Sequence, residues 1–267
     1  MGLPERCPEN CPEKCQYGAY CAWVLAQFTT ADFNTRCELD RESLSPLRGI
    51  TVALVDTDPI SEVRAVGTIP CIVVGRRGSE RDLTTHCDVV VDHDDELDEI
   101  LTTIERSPQA ALAAVLLLRG VENRTIEESL IAESTTYSLL QGGAEFAQWK
   151  NHRVSKERHG LSELEVLSER IDDHLIVTLN SPMRRNAYSS KMRTALAEIL
   201  QLALIDESID SITLRGAGSN FSSGGDLDEF GSFSDPVVTH ISRLTSNVGA
   251  NLNQLRERLG TKLRCEM

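Results

Sequence analysis

The chain has 267 residues, with 41 acidic and 27 basic side chains and a formal net charge of −14. A balance this acidic excludes a protein that binds nucleic acid through a broad basic surface. No apolar run approaches the roughly 20 residues that a membrane-spanning helix needs. The charged, cysteine-rich start shows no secretory signal, so we expect a cytoplasmic protein of one large or two smaller domains without a membrane or nucleic-acid partner.

Residues 1–45 are rich in Cys, Pro and Glu and are predicted to form a Cys-rich N-terminal segment outside the main folds. Four cysteines there have the spacing C-x3-C-x3-C-x5-C. This spacing matches neither the paired C-x2-C of common zinc sites nor an iron–sulfur run, so we predict reduced thiols and no metal. A metal site is the open alternative. The four residues are Cys7, Cys11, Cys15 and Cys21.

Residues 46–150 are predicted to form an α/β region. Short apolar segments indicate strands buried on both faces, as in a parallel sheet, with Cys71 and Cys87 as small core residues. The acidic run 92–96 has metal-ligand residue types, but its carboxylates are more typical of a helix start. A polar linker is predicted at 150–160. The predicted strands are 50–55, 71–74 and 88–91, and the helices are 96–105, a buried 109–118, and 125–149 with a break at Gly142-Gly143.

The last region, 165–267, begins with alternating elements. The apolar segment 174–179 indicates a strand, and the loop 180–187 that follows it carries the basic pair Arg184 and Arg185. A helix with one apolar face comes next, and 211–214 is the following strand. The helix face consists of Met192, Ala195, Leu196, Ile199 and Ala203.

A glycine-rich loop follows that strand and reads G-A-G-S-N-F-S-S-G-G-D-L over 216–227. A helix is predicted to start at Asp226, which would leave the backbone N–H groups of Gly224, Gly225 and Asp226 at its N-terminus. Such groups can hold a phosphate or the oxyanion of a polarised carbonyl. No Lys-Ser/Thr pair follows, and the spacing differs from a dinucleotide fingerprint. A plain glycine-rich connection is the structural alternative.

Two motifs in this region resemble those of the crotonase (enoyl-CoA hydratase/isomerase) family. The first family pattern is approximately N-x-P-x-x-R/K-N-A-[LY], and the second is G-x-G-x-x-F-[CS]-[AS]-G-[AG]-D-[LI]. Both occur here in order and at the family's separation, and the resemblance covers about 170–260. It implies an α/β fold with a partial crotonase-like ββα spiral core. The residues of the first motif are Asn180, Pro182, Arg185, Asn186, Ala187 and Tyr188.

The resemblance also implies a chemistry. Family members bind acyl-CoA thioesters as substrates, without a further cofactor, and two backbone N–H groups stabilise a thioester enolate in an oxyanion hole. By motif, the first donor is the N–H of Gly225. A lyase or isomerase of fatty acid metabolism, assembled as a trimer or hexamer, is implied. The implied acyl-CoA-binding residues are Arg184, Arg185, Ala187, Ser223, Gly224, Asp226 and Leu227.

The second donor of the family lies on a later glycine-rich helix start that is followed by acid/base glutamates. Forty-two residues follow Gly225, and they contain one amphipathic helix pattern from Asp235 to a stop at Gly260, but no such motif. Glu257 and Glu266 are carboxylates without a matching context. We therefore expect a shortened hydratase or isomerase with little turnover. The alternatives are a non-catalytic CoA-thioester-binding or assembly subunit, and a relative of the N-terminally extended 3,5-dihydroxyphenylacetyl-CoA dioxygenases.

Overall fold

The computed structural model describes residues 25–56, 62–64, 67–77, 86–154, 163–233 and 235–266. The chain forms two compact units, Met1–Glu122 and Asn123–Met267, and both are α/β in their described parts. Cys7, Cys11, Cys15 and Cys21 lie outside the described residues, so the absence of a metal there stays a prediction. Of the described helices, none combines the length and the apolarity that crossing a bilayer requires.

The first unit contains a parallel sheet of four strands in the order β1-β2-β3-β4. The three predicted strands are confirmed and are parallel. Four of the five residues in each of β2 and β3 are buried, which explains their continuous apolar sequence, because helices or loops cover both faces of such a sheet. The strands are β1 (Leu25–Thr29), β2 (Val52–Asp56), β3 (Ile72–Arg76) and β4 (Val89–Val91).

The prediction that all of residues 1–45 lie outside the main folds is wrong for the described part. Strand β1 pairs with β2 over five residues, and helix α1 (Thr30–Leu39) follows it directly. Phe33 is fully buried in the core of the first unit, and Leu44 is buried there as well. The prediction rested on composition, which does not detect a short strand followed by a short helix. The helix begins where the Thr29 hydroxyl accepts the N–H of Asp32.

Two further helices complete the first unit, α2 (Asp94–Arg106) and α3 (Pro108–Arg119). Helix α2 begins within the acidic run, as predicted, and buries Leu97 and Ile104. The prediction that the helix at 109–118 is buried is wrong. None of the residues of α3 is fully buried, and Leu118 is 64% exposed. Only part of its apolar surface packs on the core.

The end of α3 is held by one buried ion pair. Arg119 donates to both carboxylate oxygens of Asp88, at 2.7 and 2.6 Å, and also to the carbonyls of Ile69 and Cys71, at 2.6 and 2.7 Å. The side chains of Arg119 and Asp88 are 12% and 7% exposed. The planar guanidinium therefore ties α3 to the start of β3 and to the residue just before β4.

We expect Arg119→Lys to destabilise the first unit by about 2 kcal/mol, because an ammonium group cannot replace a bidentate contact and two carbonyl contacts at once. Amide hydrogen exchange of the β3 backbone measures this loss within the unit. The exposed Arg106, in the last turn of α2, provides the matched control Arg106→Lys. Equal protection of β3 in both variants would show that the Arg119 contacts contribute nothing.

The cysteines of the described part differ in burial. Burial raises the pKa of the Cys71 thiol to about 12, whereas Cys265 is exposed. Because the thiolate is the reactive form, we expect iodoacetamide at pH 8 to label Cys265 quickly and to leave Cys71 unlabelled in the folded chain. Peptide mapping by mass spectrometry distinguishes the two sites. Comparable labelling rates at both would contradict the buried position of Cys71.

The second unit contains a four-stranded sheet in the order β5-β6-β7-β8. Strands β5 and β6 are antiparallel, helix α6 follows β6, and β7 and β8 run parallel to β6. This confirms the predicted order of strand, basic loop, helix and strand, and the ββα arrangement of its first elements. The elements are β5 (Val166–Ile171), β6 (His174–Leu179), α6 (Ser190–Ile205), β7 (Ser211–Gly216) and β8 (Leu263–Glu266).

The predicted apolar face of α6 packs on this sheet. Met192, Leu196 and Ala203 are buried in one cluster with residues of β6, β7 and α8, whereas Ala195 and Ile199 are partly buried beside it. The core of this unit therefore lies between α6 and the sheet. The loops at the carboxyl ends of β6 and β7 emerge next to each other, and these two loops carry the two motifs.

The helices before the predicted linker belong to the second unit. Helices α4 (Ile126–Gln141) and α5 (Ala144–His152) are separated at Gly142-Gly143, as predicted. The compact units divide at Glu122, however, and not at 150–160. Helix α4 packs along α7 (Pro236–Thr245). There, one guanidinium nitrogen of Arg243 donates to both carboxylate oxygens of Glu133, at 2.7 Å each. Composition alone placed the boundary at the polar segment because it cannot show this long-range pairing.

The predicted long C-terminal helix is two helices, α7 and α8 (Val248–Leu259). The chain turns at Ser246 and Asn247, and the Asn247 side chain accepts the N–H of Ala250, so α8 has its own N-cap. The predicted cap at Asp235 and the stop at Gly260, where φ is +56°, are both present.

Candidate functional site

The glycine-rich loop does not enter a helix. Turns follow Asp226, so the predicted helix start at Asp226–Phe230 is wrong, and the N–H groups of Gly224, Gly225 and Asp226 have no helix dipole behind them. The Asp226 carboxylate accepts the N–H of Asp228 at 3.1 Å, and the Asp226 carbonyl accepts that of Glu229 at 3.0 Å. These contacts form an isolated turn and not the first turn of a helix.

A backbone bridge to Tyr188 fixes the position of Gly225. The N–H of Tyr188 donates to the carbonyl of Gly224 at 2.8 Å, and the N–H of Asp226 donates to the carbonyl of Tyr188 at 3.0 Å. The N–H of Gly225 lies between these bonds and has no acceptor among the described residues. A Cβ at Gly225 would lie 2.9 Å from Cε1 of Phe230, so the close packing of that ring favours glycine.

Arg184 and Asp226 join the two motif loops. Two guanidinium nitrogens of Arg184 donate to the two carboxylate oxygens of Asp226, both at 2.7 Å, and the second also contacts Asp228 at 3.4 Å. The Asp226 side chain is 2% exposed, and its hydrogen bond to Arg184 raises the pKa of that guanidinium. The two side chains are thus paired with each other across 42 positions of sequence, and the contact of Arg184 and Asp226 with the coenzyme stays a prediction.

Asn186 holds the same two loops together from the other side. It is fully buried with φ at +52°, and its amide donates to the carbonyls of Ala217 and Asn220 at 3.0 and 2.7 Å. Its side-chain oxygen accepts the N–H of Ser181, and the Ser222 hydroxyl donates to its carbonyl. Asn186 belongs to the first motif, but the sequence predicts no function for it. In the structure, its hydrogen bonds connect the two loops and so set the distance between them.

A cavity of about 350 Å³ lies beside Gly225. Three of its lining residues come from α4. The sequence predicts this helix to belong to the α/β region 46–150, and not to the region that carries the two motifs. No local sequence signal marks these residues, because they reach the site only through the packing of α4 on α7. The lining of the cavity includes Glu133, Tyr137, Gln141, Tyr188, Arg193, Gly225, Glu229, Phe230, Ser242 and Arg243.

The cavity is polar on the side of α7. The guanidinium of Arg243 lies 4.1 Å from the centre of the Tyr137 ring, and Arg193 donates to the Ser242 hydroxyl at 2.9 Å. Burial raises the pKa of Tyr137 and raises that of Tyr188 to about 12. Both phenols are therefore neutral at physiological pH.

The sequence matches known proteins over part of its length. A probable enoyl-CoA hydratase of Mycobacterium tuberculosis is 34% identical over 76 residues, which are 28% of this chain and 30% of that protein. The matched stretch belongs to the crotonase family. The chain spans about 30% of the length of the curated crotonase relatives that it matches. No protein-family model matches the sequence.

Solved crotonase structures overlap similarly small parts. An enoyl-CoA hydratase from Mycobacterium tuberculosis is 34% identical and covers 27% of this chain and 28% of its own, with a TM-score of 0.26. A carnitinyl-CoA hydratase from Mycobacterium avium is 28% identical, with 26% of each chain covered and a TM-score of 0.25. An enoyl-CoA hydratase/isomerase from Xanthobacter autotrophicus is 35% identical, covering 24% and 23%, with a TM-score of 0.23.

The remaining predicted residues of the crotonase motifs lie around the two loops. Arg185 is exposed with φ at +53°, and it forms no ion pair within the described part of the chain. Ala187 is half-buried, and Ser223 is exposed with its hydroxyl 3.5 Å from the carbonyl of Arg184. Leu227 is 45% exposed. Their roles in binding stay predictions.

Metal-ligand residue types do not converge in the described ranges. No group of three or more His, Cys, Asp or Glu side chains there could hold a metal ion. The acidic run ahead of α2 supplies the first turn of that helix, with Asp94, Asp95 and Glu96 near the N–H groups.

Proposed function

We propose that the second unit binds an acyl-CoA thioester and polarises its carbonyl through the N–H of Gly225. The observation that carries the proposal is that this N–H, fixed by the bridge to Tyr188, has no described acceptor and belongs to a residue that lines the cavity. A fixed dipole stabilises negative charge that develops on an oxygen, because it needs no reorganisation during the reaction.

The proposal includes a position for each end of the ligand. The acyl chain would enter the cavity beside Gly225, where Tyr137 and Phe230 contribute aromatic surface. The phosphates of coenzyme A would meet Arg185, because its partner in the sequence pair, Arg184, is occupied by Asp226. The strongly acidic chain makes such a local positive charge important for an anionic ligand.

Isothermal titration with butyryl-CoA tests this binding. We expect Arg185→Gln to weaken binding by roughly threefold to tenfold, because an exposed guanidinium gains modest energy from a phosphate, and to lower the dependence on salt. Arg256→Gln, on the exposed side of α8, removes the same charge elsewhere and is expected to change little. No detectable binding by the parent chain would overturn the proposal.

The family relationship extends the proposal to hydratase or isomerase chemistry, but the described cavity holds only part of the machinery. Glu133 is engaged by Arg243, and Glu229 accepts the N–H of Ser190 at 2.6 Å. No second glycine-rich helix start lines the cavity among the described residues. This observation favours thioester binding with little turnover, so a non-catalytic binding subunit is the second candidate.

A homo-oligomer is part of the proposal and is supported by the family relationship. Light scattering coupled to size-exclusion chromatography gives the mass in solution, and a trimer or hexamer is expected. A monomer at all concentrations tested would contradict this part without affecting the binding site.

A further inference from the structure

The cavity beside Gly225 contains two buried donors without acceptors. The Nε atoms of Arg193 and Arg243 are both inaccessible to solvent and have no hydrogen-bond partner among the described residues. Both arginines line the cavity, and both also line a smaller neighbouring cavity of about 160 Å³. Buried N–H groups without partners are rare because each costs its full desolvation energy. Because the two Nε atoms are inaccessible, a ligand in the cavity would meet the other guanidinium nitrogens of Arg193 and Arg243.

The charges in the cavity do not balance around Arg193. Arg243 is neutralised by the two oxygens of Glu133, each at 2.7 Å. Arg193 forms no ion pair with a described carboxylate, and its one described hydrogen bond goes to the neutral hydroxyl of Ser242. Glu229 also lines the cavity, but it is not within ion-pair distance of Arg193. Arg193 therefore has no counter-charge within ion-pair distance among the described residues.

We propose that this cavity selects acyl-CoA thioesters whose acyl chain ends in a carboxylate, with that carboxylate on Arg193. The inference rests on the proposed function and adds the class of acyl group. A carboxylate on the outer guanidinium nitrogens of Arg193 would supply the counter-charge that no described carboxylate provides within ion-pair distance. A cavity of about 350 Å³ is near the lower end of ligand sites, which suits a short acyl chain.

Water is the rival occupant of this space. Ordered water can occupy the cavity and accept hydrogen bonds from the outer guanidinium nitrogens, since the cavity is polar and large enough. Water does not supply a counter-charge to Arg193, however, so the two occupants predict different ligand preferences. With water as the resident, a terminal carboxylate would gain no affinity over a terminal methyl group.

Glutaryl-CoA and pentanoyl-CoA form a matched pair of probes, because both acyl chains have five carbons and differ in the terminal group. We expect the full 267-residue chain to bind glutaryl-CoA roughly tenfold or more tightly in isothermal titration, as a hydrogen-bonded charge pair implies. Arg193→Gln is expected to abolish that preference by weakening glutaryl-CoA much more than pentanoyl-CoA. The control Arg256→Gln is expected to keep the preference.

The outcomes separate the inference from the proposed function. Equal affinities for the two probes in the parent chain would overturn the inference and leave thioester binding intact. Binding of neither probe would overturn both. A preference that persists in Arg193→Gln would also overturn the assignment to Arg193. If circular dichroism shows that this variant does not fold, Arg193→Lys replaces it, because lysine keeps the positive charge. We expect Arg193→Lys to retain a reduced preference for glutaryl-CoA. An unchanged or inverted preference would contradict the assignment to Arg193.

Discussion

Asp226→Ala is expected to destabilise the second unit by about 3–5 kcal/mol and to abolish acyl-CoA binding. The substitution leaves the Arg184 guanidinium buried without its bidentate partner, and removing one member of a buried ion pair carries a cost of this size. It also releases the turn that follows Gly225, because the Asp226 carboxylate accepts the N–H of Asp228. Urea unfolding and titration with butyryl-CoA measure the two effects.

Asp210→Ala is a matched control for this prediction. Asp210 pairs with Lys262 in the same unit, but both side chains are more than half exposed, so the loss should stay below about 1 kcal/mol. Equal stability losses for Asp210→Ala and Asp226→Ala would contradict the role of the Arg184–Asp226 pair. Full binding by Asp226→Ala would show that this pair does not position Gly225.

Hydration of crotonyl-CoA by this chain is expected to be slower than that of ordinary enzymes by a factor of about 10⁴ or more. Enzyme turnover is typically about 1–10³ s⁻¹. The absence of one oxyanion donor costs about 10²–10³ in rate, and the absence of a positioned acid or base costs about 10²–10⁴. The described cavity offers the N–H of Gly225 and carboxylates that are already engaged.

The loss of absorbance of the conjugated thioester follows this hydration directly. Turnover within the ordinary range would contradict the expectation and would require an acid or base at the cavity. Glu229→Gln then identifies that group, since Glu229 lines the cavity beside Gly225. Glu257→Gln is its control, because Glu257 is exposed on α8.

Five of the described strands, β2, β3, β4, β6 and β7, could be predicted because their signals are local. Continuous apolar runs at β2 and β3 indicate burial on both faces, and the β6–α6–β7 order follows from an apolar segment, an amphipathic helix and a second strand. The resemblance of two short motifs then predicted a partial crotonase-like ββα core. The structure places both loops at the carboxyl ends of neighbouring parallel strands.

The unpredicted features depend on long-range contacts. The partner of Arg184 is 42 positions away, and nothing in the spacing distinguishes a guanidinium that binds phosphate from one that binds Asp226. Helix α4 contributes Tyr137 to the cavity through its packing on α7, where small buried residues such as Ser134 leave no apolar stripe to recognise. The turn that replaces the predicted helix after Asp226 also involves a long-range contact, because the Asp226 carboxylate binds Arg184 as well as the N–H of Asp228.

Two variants of Gly225 isolate its N–H. Gly225→Ala and Gly225→Pro both place a Cβ near Phe230, but only proline removes the N–H. Neither the bond from Tyr188 to Gly224 nor the bond from Asp226 to Tyr188 uses this N–H, so the bridge itself does not depend on it. The difference between the two variants therefore reports the donor.

The infrared stretch of a ¹³C-labelled thioester carbonyl, measured on butyryl-CoA bound to the chain, tests the central claim most directly. We predict a shift to lower frequency than in water for the parent chain and for Gly225→Ala, because a fixed N–H donor polarises the carbonyl. The shift should disappear in Gly225→Pro. A bound carbonyl with the frequency it has in water, or a shift that survives in Gly225→Pro, would contradict the assignment of Gly225 as the donor.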